Sequence, residues 1–272
     1  TAVALPEPLP RDVGFGLVLL VPGSGPASAL AVFPGFRELT DTTSFDARGL
    51  TGTTLELFSR SGLVGRARLA SSPGESPTGD CPVWPTAPLT PVDTTAMPAG
   101  WSVAFIAGRA QPIPLQPIEA LPGTDSARVA AQVTRLASAL PNDTATAFRG
   151  IPFFVRIAYR FTPAPGVDAL VAEVVRKVNV EANPLEEHIL IVAERDGTDS
   201  DAPYRVGYSN RTSGPETNVV STEVLAAVTL RATGRPTLVL DSVAFEGDVY
   251  SLLERTGAVR WAVRWRSAYS GC

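Results

Sequence analysis

Short apolar runs, cut by proline and glycine at roughly eight- to twelve-residue spacing, constrain this chain more than any other feature it has. Runs such as VGFGLVLLV, SALAVFP, GIPFFVRIAYRF, HILIVAERD and PTLVLDSVAF have the length and β-branching of strands. The 25 prolines and 23 glycines between them leave little room for long helices. Such a pattern predicts a meandering antiparallel sheet, since parallel strands would need helical crossovers between them. The block TTLELFSRSGLVGRARLAS alternates apolar and polar residues on both sides of Ser61-Gly62 and reads as a hairpin turning there.

One stretch departs from this grammar. Val129, Val133, Leu136 and Leu140 recur at helical spacing, which predicts an amphipathic helix over about 125–140, capped by Thr124 or Asp125 and ended by Pro141. A second stretch fits two templates: Val167, Leu170, Val171, Val174, Val175 and Val178 also fall on one helical face. Its β-branching and the ANPLEE break favour a hairpin, with HILIVAERD as the returning strand.

The expected fold is therefore α+β and mainly antiparallel β, in two β-rich lobes. Residues 1–110 form the first lobe, with a long Pro-rich loop around Cys81 and Trp84 between Ser71 and Gly100. Residues 111–124 connect the lobes, and 125–272 supply the helix and a second antiparallel sheet.

The chain's ending tightens this expectation. In AVRWAVRWRS a plain alternation puts Val259, Val263, Trp261 and Trp265 on one side, with Arg260, Arg264 and Arg266 on the other. Two indoles, each burying on the order of 150–250 Å², would anchor a terminal hairpin against a core or a partner. LELFSRSGLVGRARL and YSLLERTGAVRWAVRW also share matches when Gly62 is set on Gly257, which either a duplication or common hairpin grammar explains. Cys81 and Cys272 are the only cysteines. They are too few for a zinc site, and pairing would close a loop worth roughly 5 kcal/mol on the chain-entropy account. A pair that pins a terminus implies an oxidising compartment, so the expected location is extracytoplasmic: periplasm, outer surface or secreted. The proline-rich start AVALPEPLPRD fits a mature protein of that kind, and the almost exclusive use of arginine over lysine fits a GC-rich bacterial genome.

Net charge of −4 gives no overall basic field, which argues against nucleic acid as a partner. No apolar run reaches the ~18 residues of a membrane-spanning helix. Catalytic signals are sparse: His188 is the sole histidine, there is no G-x-S-x-G elbow and no phosphate-binding glycine loop. Carboxylate pairs occur at Glu186-Glu187 and at Glu194 with Asp196, the residue types that glycoside hydrolysis uses. Asp196, Asp199 and Asp201 in ERDGTDSDAPY are oxygen donors of the sort a hard cation such as calcium takes, without EF-hand spacing; no other cofactor is expected. These features predict a non-catalytic secreted or cell-envelope protein that binds a protein partner or assembles with itself. The alternatives are a carboxylate- or calcium-dependent hydrolase, and a carrier holding a small apolar ligand between sheet and helix.

Overall fold

Extended runs rich in valine, isoleucine and leucine build antiparallel sheets here, and the positions of the polar residues decide how the sheets stack. The computed structural model describes residues 19–23, 25, 27–32, 51–71, 84, 86–141, 146–179, 181–199, 202–244, 246–267 and 269–271. Cys81, Cys272 and Asp201 lie outside the described residues, and with them the expected cysteine pairing.

The first part of the chain closes into a six-stranded barrel. Its strands are β1 (Leu19–Pro22), β2 (Ser28–Val32), β3 (Thr54–Ser59), β4 (Gly62–Leu69), β5 (Thr86–Pro91) and β6 (Val103–Ile106), in the order β1-β2-β5-β4-β3-β6. The pairing of Leu20 with Ala104 seals the ring. The hairpin expected at 54–69 is present, although its turn is Arg60-Ser61, one residue earlier than the sequence suggested. The stretch expected to be one long loop contains β5, which bridges β2 and β4 and buries Ala87 and Leu89 on alternate positions despite its prolines.

Two open sheets follow. Five strands run in the order β12-β11-β10-β9-β8: β8 (Gln116–Pro117), β9 (Phe154–Ala164), β10 (Val167–Val178), β11 (Leu185–Asp196) and β12 (Arg205–Pro215). The second sheet has six strands in the order β16-β15-β14-β13-β7: β7 (Ala110–Pro112), β13 (Ser221–Leu230), β14 (Arg235–Ala244), β15 (Gly247–Gly257) and β16 (Arg260–Arg266), with β17 (Ser270–Gly271) added beside β15. Helix α1 (Gly123–Ala139) lies on the outer face of the five-stranded sheet. It starts after Pro122 without a side-chain cap. Asp125 sits in the first turn, where its charge suits the helix dipole, and pairs with Arg128 at 3.0 Å instead of capping.

The elements stack in the order helix, five-stranded sheet, six-stranded sheet, barrel. Val129, Val133 and Ala137 of α1 pack on Leu170, Ala172, Ile189 and Ile191. Ala169, Val171, Leu190 and Val192 on the other face of that sheet meet Leu238, Leu240, Leu253 and Trp261. The far face of the six-stranded sheet offers Val228, Val239, Leu252 and Trp265 to the barrel core of Leu55, Leu57, Phe58 and Val103. Because β10 and β11 are covered on both faces, their apolar residues run without alternation, which is why their sequence also fitted a helix.

The two similar hairpins occupy different sheets and turn at different points of their alignment. The β3–β4 turn precedes Gly62, whereas the β15–β16 turn, Ala258-Val259, follows Gly257.

Leu253 is fully buried between the two open sheets. Leu253→Ala is expected to lower unfolding stability by about 2–5 kcal/mol in urea titration; a loss under ~1 kcal/mol would mean that the sandwich interior is not packed as described.

Candidate ligand-binding cleft

A period of two assigns each residue of a strand to one face, and one extra residue reverses every assignment beyond it. Strand β16 carries such an insertion. Leu253 pairs with Val263 but Leu252 pairs with Trp265, so Arg264 is the additional residue. Trp261 and Val263 face the five-stranded sheet, while Trp265 faces the barrel. The two indoles expected on one side are therefore on opposite faces, both buried as core. Arg266, expected on the face opposite Trp261 and Val263, instead shares their side and lines the gap between the sheets, beside Ser251 of β15.

Strand β12 has a matching irregularity. Val192 pairs with Tyr208 and Ala193 with Val206, leaving Gly207 as the extra residue. Gly207 sits directly against β16: a Cβ there would lie 3.0 Å from the Val259 carbonyl carbon and 3.0 Å from Cδ1 of Trp261. Strands β12 and β16 are the edges of their sheets, so this contact closes one end of the sandwich's open side. Beyond it a cleft of about 360 Å³ opens.

Apolar walls come from Leu190, Val220, Leu240, Val249 and Val263. Polar groups come from Tyr208, Asn210, Thr212, Thr222, Ser242 and Ser251, with Arg266 inside. Arg211 also borders the cleft, but its guanidinium is held on the helix-facing side by Glu187 Oε1 at 3.1 Å and by the Pro141 carbonyl at 3.2 Å. No carboxylate belongs to the described lining. Burial lowers the Arg266 guanidinium from its usual value, although arginine stays cationic at any pH of interest. The Tyr208 phenol is raised by burial, against the opposing pull of Arg266, so it persists as a neutral hydroxyl.

Around the cleft, buried charges pair within the protein. His188 lies between Glu186 Oε2, 2.7 Å from its Nε2, and Glu173 Oε1, 3.4 Å from its Nδ1. Burial alone would lower this imidazole; the two glutamates outweigh it and raise its pKa. Glu173 also binds Arg156 and accepts the Thr222 N–H at 2.8 Å, and Arg156 reaches Glu223 at 2.7 Å. Glu186 meets Lys177, and Glu187 meets Arg176 at 2.6 Å on the opposite face, so the adjacent carboxylates expected as a pair point away from each other. Glu194 accepts hydrogen bonds from Arg255 at 2.7 and 2.8 Å, from the Val259 N–H at 3.1 Å and from Trp261 Nε1 at 2.7 Å. These bonds hold the β15–β16 turn, where Val259 takes a left-handed φ of 53° that β-branched residues rarely adopt. Asp168, beside Glu194 in the ladder but on the helix-facing side of the sheet, gathers Arg160, Arg195 and Tyr204.

Of the residues expected to hold calcium, Asp196 is exposed and its Oδ1 takes the Thr198 N–H at 2.9 Å and the Thr198 hydroxyl at 2.7 Å. Asp199 lies in the same exposed turn. Among the described residues no group of three potential metal ligands forms. Sequence reasoning passed over the cleft because its polar groups come from separate strands. The only signal was a run of small polar residues, YSNRTS, in a sheet edge.

Two outcomes test this electrostatic arrangement. Glu194→Ala leaves Arg255 and the Trp261 N–H without their acceptor and is expected to cost about 3 kcal/mol by chemical denaturation. Asp241, on the barrel-facing side of β14, has no hydrogen-bond partner for Oδ1 among the described residues. Burial, with Asp248 and Glu223 nearby, raises its carboxyl from 3.8 to about 8. A raised carboxyl stabilises the fold below its unfolded value, and that stability is lost as pH rises from 3.8 through about 8. Asp241→Asn should therefore lose less stability than the parent between pH 5 and pH 8.5; equal losses would show that Asp241 is not buried as described.

Comparison of the chain with protein-family models, with curated proteins and with solved structures gave no match.

Proposed function

We propose that this is a non-catalytic binding protein whose cleft between β12 and β16 takes a small amphipathic molecule. The observation that carries this reading is the cleft itself: about 360 Å³, within the range of ~300–1,000 Å³ typical of ligand sites, and lined by both aliphatic and hydrogen-bonding side chains. The interior of a sandwich normally fills with interdigitating side chains, so serine, threonine and asparagine turned into it have their natural use in holding a guest.

The disposition of charge favours binding over bond-making. His188 is engaged by two glutamates, and Glu187, Glu194 and Asp168 each face arginine, so these carboxylates serve the scaffold. A carrier site was expected between sheet and helix; that space holds Val129, Val133 and Ala137, and the cleft lies between the sheets.

Binding of a protein partner or self-assembly is the other proposal that composition motivates. The exposed large apolar residues among those described are Leu63, Val92 and Phe154, the first two at the barrel and the third on β9, so they lend it less support than the cleft lends ligand binding. The extracytoplasmic location is likewise proposed from the sequence, on a pairing of Cys81 with Cys272.

The test is a thermal-shift screen of small amphipathic molecules against the parent and Ser242→Phe, which places a ring at the cleft wall. Hits are expected to raise Tm in the parent by a few degrees and to leave the variant unmoved. Hits that shift both proteins alike would place binding elsewhere and overturn the reading.

A further inference from the structure

Hydrogen-bonding groups in the cleft are spread over both walls instead of gathered at one end. On the six-stranded sheet, Thr222 of β13 stands directly across the ladder from Ser242 of β14, and Ser251 of β15 pairs with Leu240 in the next row. On the facing sheet, Tyr208 and Asn210 take successive same-face positions of β12. Aliphatic residues are interleaved with them: Leu190 pairs with Asn210, Leu240 with Ser251 and Val249 with Ser242. The side chains of Tyr208, Asn210, Thr222, Ser242 and Ser251 make no hydrogen bond among the described residues. The two arginines of the lining are engaged within the protein, Arg211 by Glu187 and the Pro141 carbonyl, and Arg266 likewise.

We infer that the cleft binds an uncharged polyhydroxylated ring the size of one hexopyranose, held by Thr222, Ser242 and Ser251 on one side and by Tyr208 and Asn210 on the other. This inference rests on the cleft being a ligand site and adds the chemical class of the ligand.

The chemistry of the unengaged groups narrows the class. A hydroxyl both donates and accepts, and the asparagine amide does the same. Sugar hydroxyls share that dual character, so each contact can satisfy both partners. A carboxylate only accepts and an ammonium only donates, and neither would find an unengaged counter-charge in the described lining. Thr222 and Ser251 are almost fully buried, where a hydroxyl without a partner is costly, and a guest's hydroxyls give them the partners that the described residues do not. Burial keeps the Tyr208 phenol protonated, so it too can donate.

Distribution separates this guest from a molecule with a polar head and an apolar tail. Such a molecule would suit polar groups clustered at one end, whereas Asn210, Ser242 and Ser251 each have an aliphatic cross-strand neighbour. A pyranose carries hydroxyls around its rim and C–H groups on its faces, so its mixed surface matches mixed walls. Size agrees: about 360 Å³ corresponds to roughly a dozen water-sized atoms at ~30 Å³ each, the heavy-atom count of one hexose.

The experiment titrates the methyl α- and β-glycosides of glucose, galactose and mannose calorimetrically into the full chain. Cyclohexylmethanol, which keeps a six-membered ring and one hydroxyl, and the uronic acid form of the best-bound glycoside serve as comparison probes. At least one glycoside is expected to bind with one-to-one stoichiometry and a Kd of about 1 mM or tighter, at least tenfold tighter than cyclohexylmethanol, and the uronic acid form to bind more weakly than its neutral parent. Ser242→Ala and Ser251→Ala, each of which removes one oxygen and adds no bulk, should each weaken that glycoside about three- to tenfold. If cyclohexylmethanol or the uronic acid form equals or exceeds the glycoside, the neutral polyol assignment is overturned while the cleft still binds. Unchanged affinity in both serine variants, or equal binding by Ser242→Phe, would put the sugar outside the cleft and overturn it as well. Should no glycoside bind at millimolar concentration, the assignment falls, and the thermal-shift screen against Ser242→Phe decides separately whether the cleft binds anything. The comparison of probes in the parent needs no variant to fold.

Discussion

The six-stranded sheet must be apolar on both faces, because it is the one layer that touches both of the other sheet systems. Leu238, Leu240 and Leu253 face one way and Val239, Leu252 and Trp265 the other. In a sheet with one wet face, a slip of register would trade a core residue for a solvated one. Here it would exchange one core for another. Strand β16 uses that freedom through a single extra residue, Arg264, which divides its two tryptophans between the barrel interface and the sandwich and brings a guanidinium inside. The same insertion thus fixes the packing of the last long strand and the chemistry of the cleft.

Buried charge follows a consistent rule across the molecule. Carboxylates at the ends of the sandwich, Glu173, Glu186 and Glu194, each meet an arginine, lysine, histidine or backbone N–H group contributed by a different strand. Removing one partner from such a group costs more than the pair contributes, since the survivor is left desolvated. These clusters therefore set which strands lie opposite one another more than they add to stability. Glu194 illustrates this: it joins β11 to the β15–β16 turn and holds Val259 in a backbone conformation that valine would not choose alone. Asp241 departs from this rule, an acid held between sheet and barrel with an oxygen lacking a described partner.

How much of this was legible in the sequence follows from where each signal resides. Local signals were readable: the α1 periodicity of Val129 and Val133, the β3–β4 hairpin, and the hairpin of Val167–Val178 with Leu185–Asp196. The last was ambiguous because covering both faces removes the alternation that marks a strand. Strand β5 was hidden by its prolines, yet Ala87 and Leu89 alternate inward as a strand's residues should. The insertion in β16 could not be read at all. VRWAVRWR alternates without a fault, and the extra residue exists only relative to β15. For the same reason the cleft escaped notice, since Tyr208, Ser251 and Arg266 are drawn together by pairings spread over the C-terminal half of the chain. The acidic loop at Asp196 suggested a cation site because its oxygens are close in sequence, but along that exposed turn Oδ1 of Asp196 is taken by Thr198.

Gly207 has a mechanical meaning beyond close packing. It is where the edge strands of the two open sheets come into close contact, and the cleft opens beyond that contact. Any side chain at residue 207 would press on the Val259 carbonyl and the Trp261 ring and so pry the two edge strands apart.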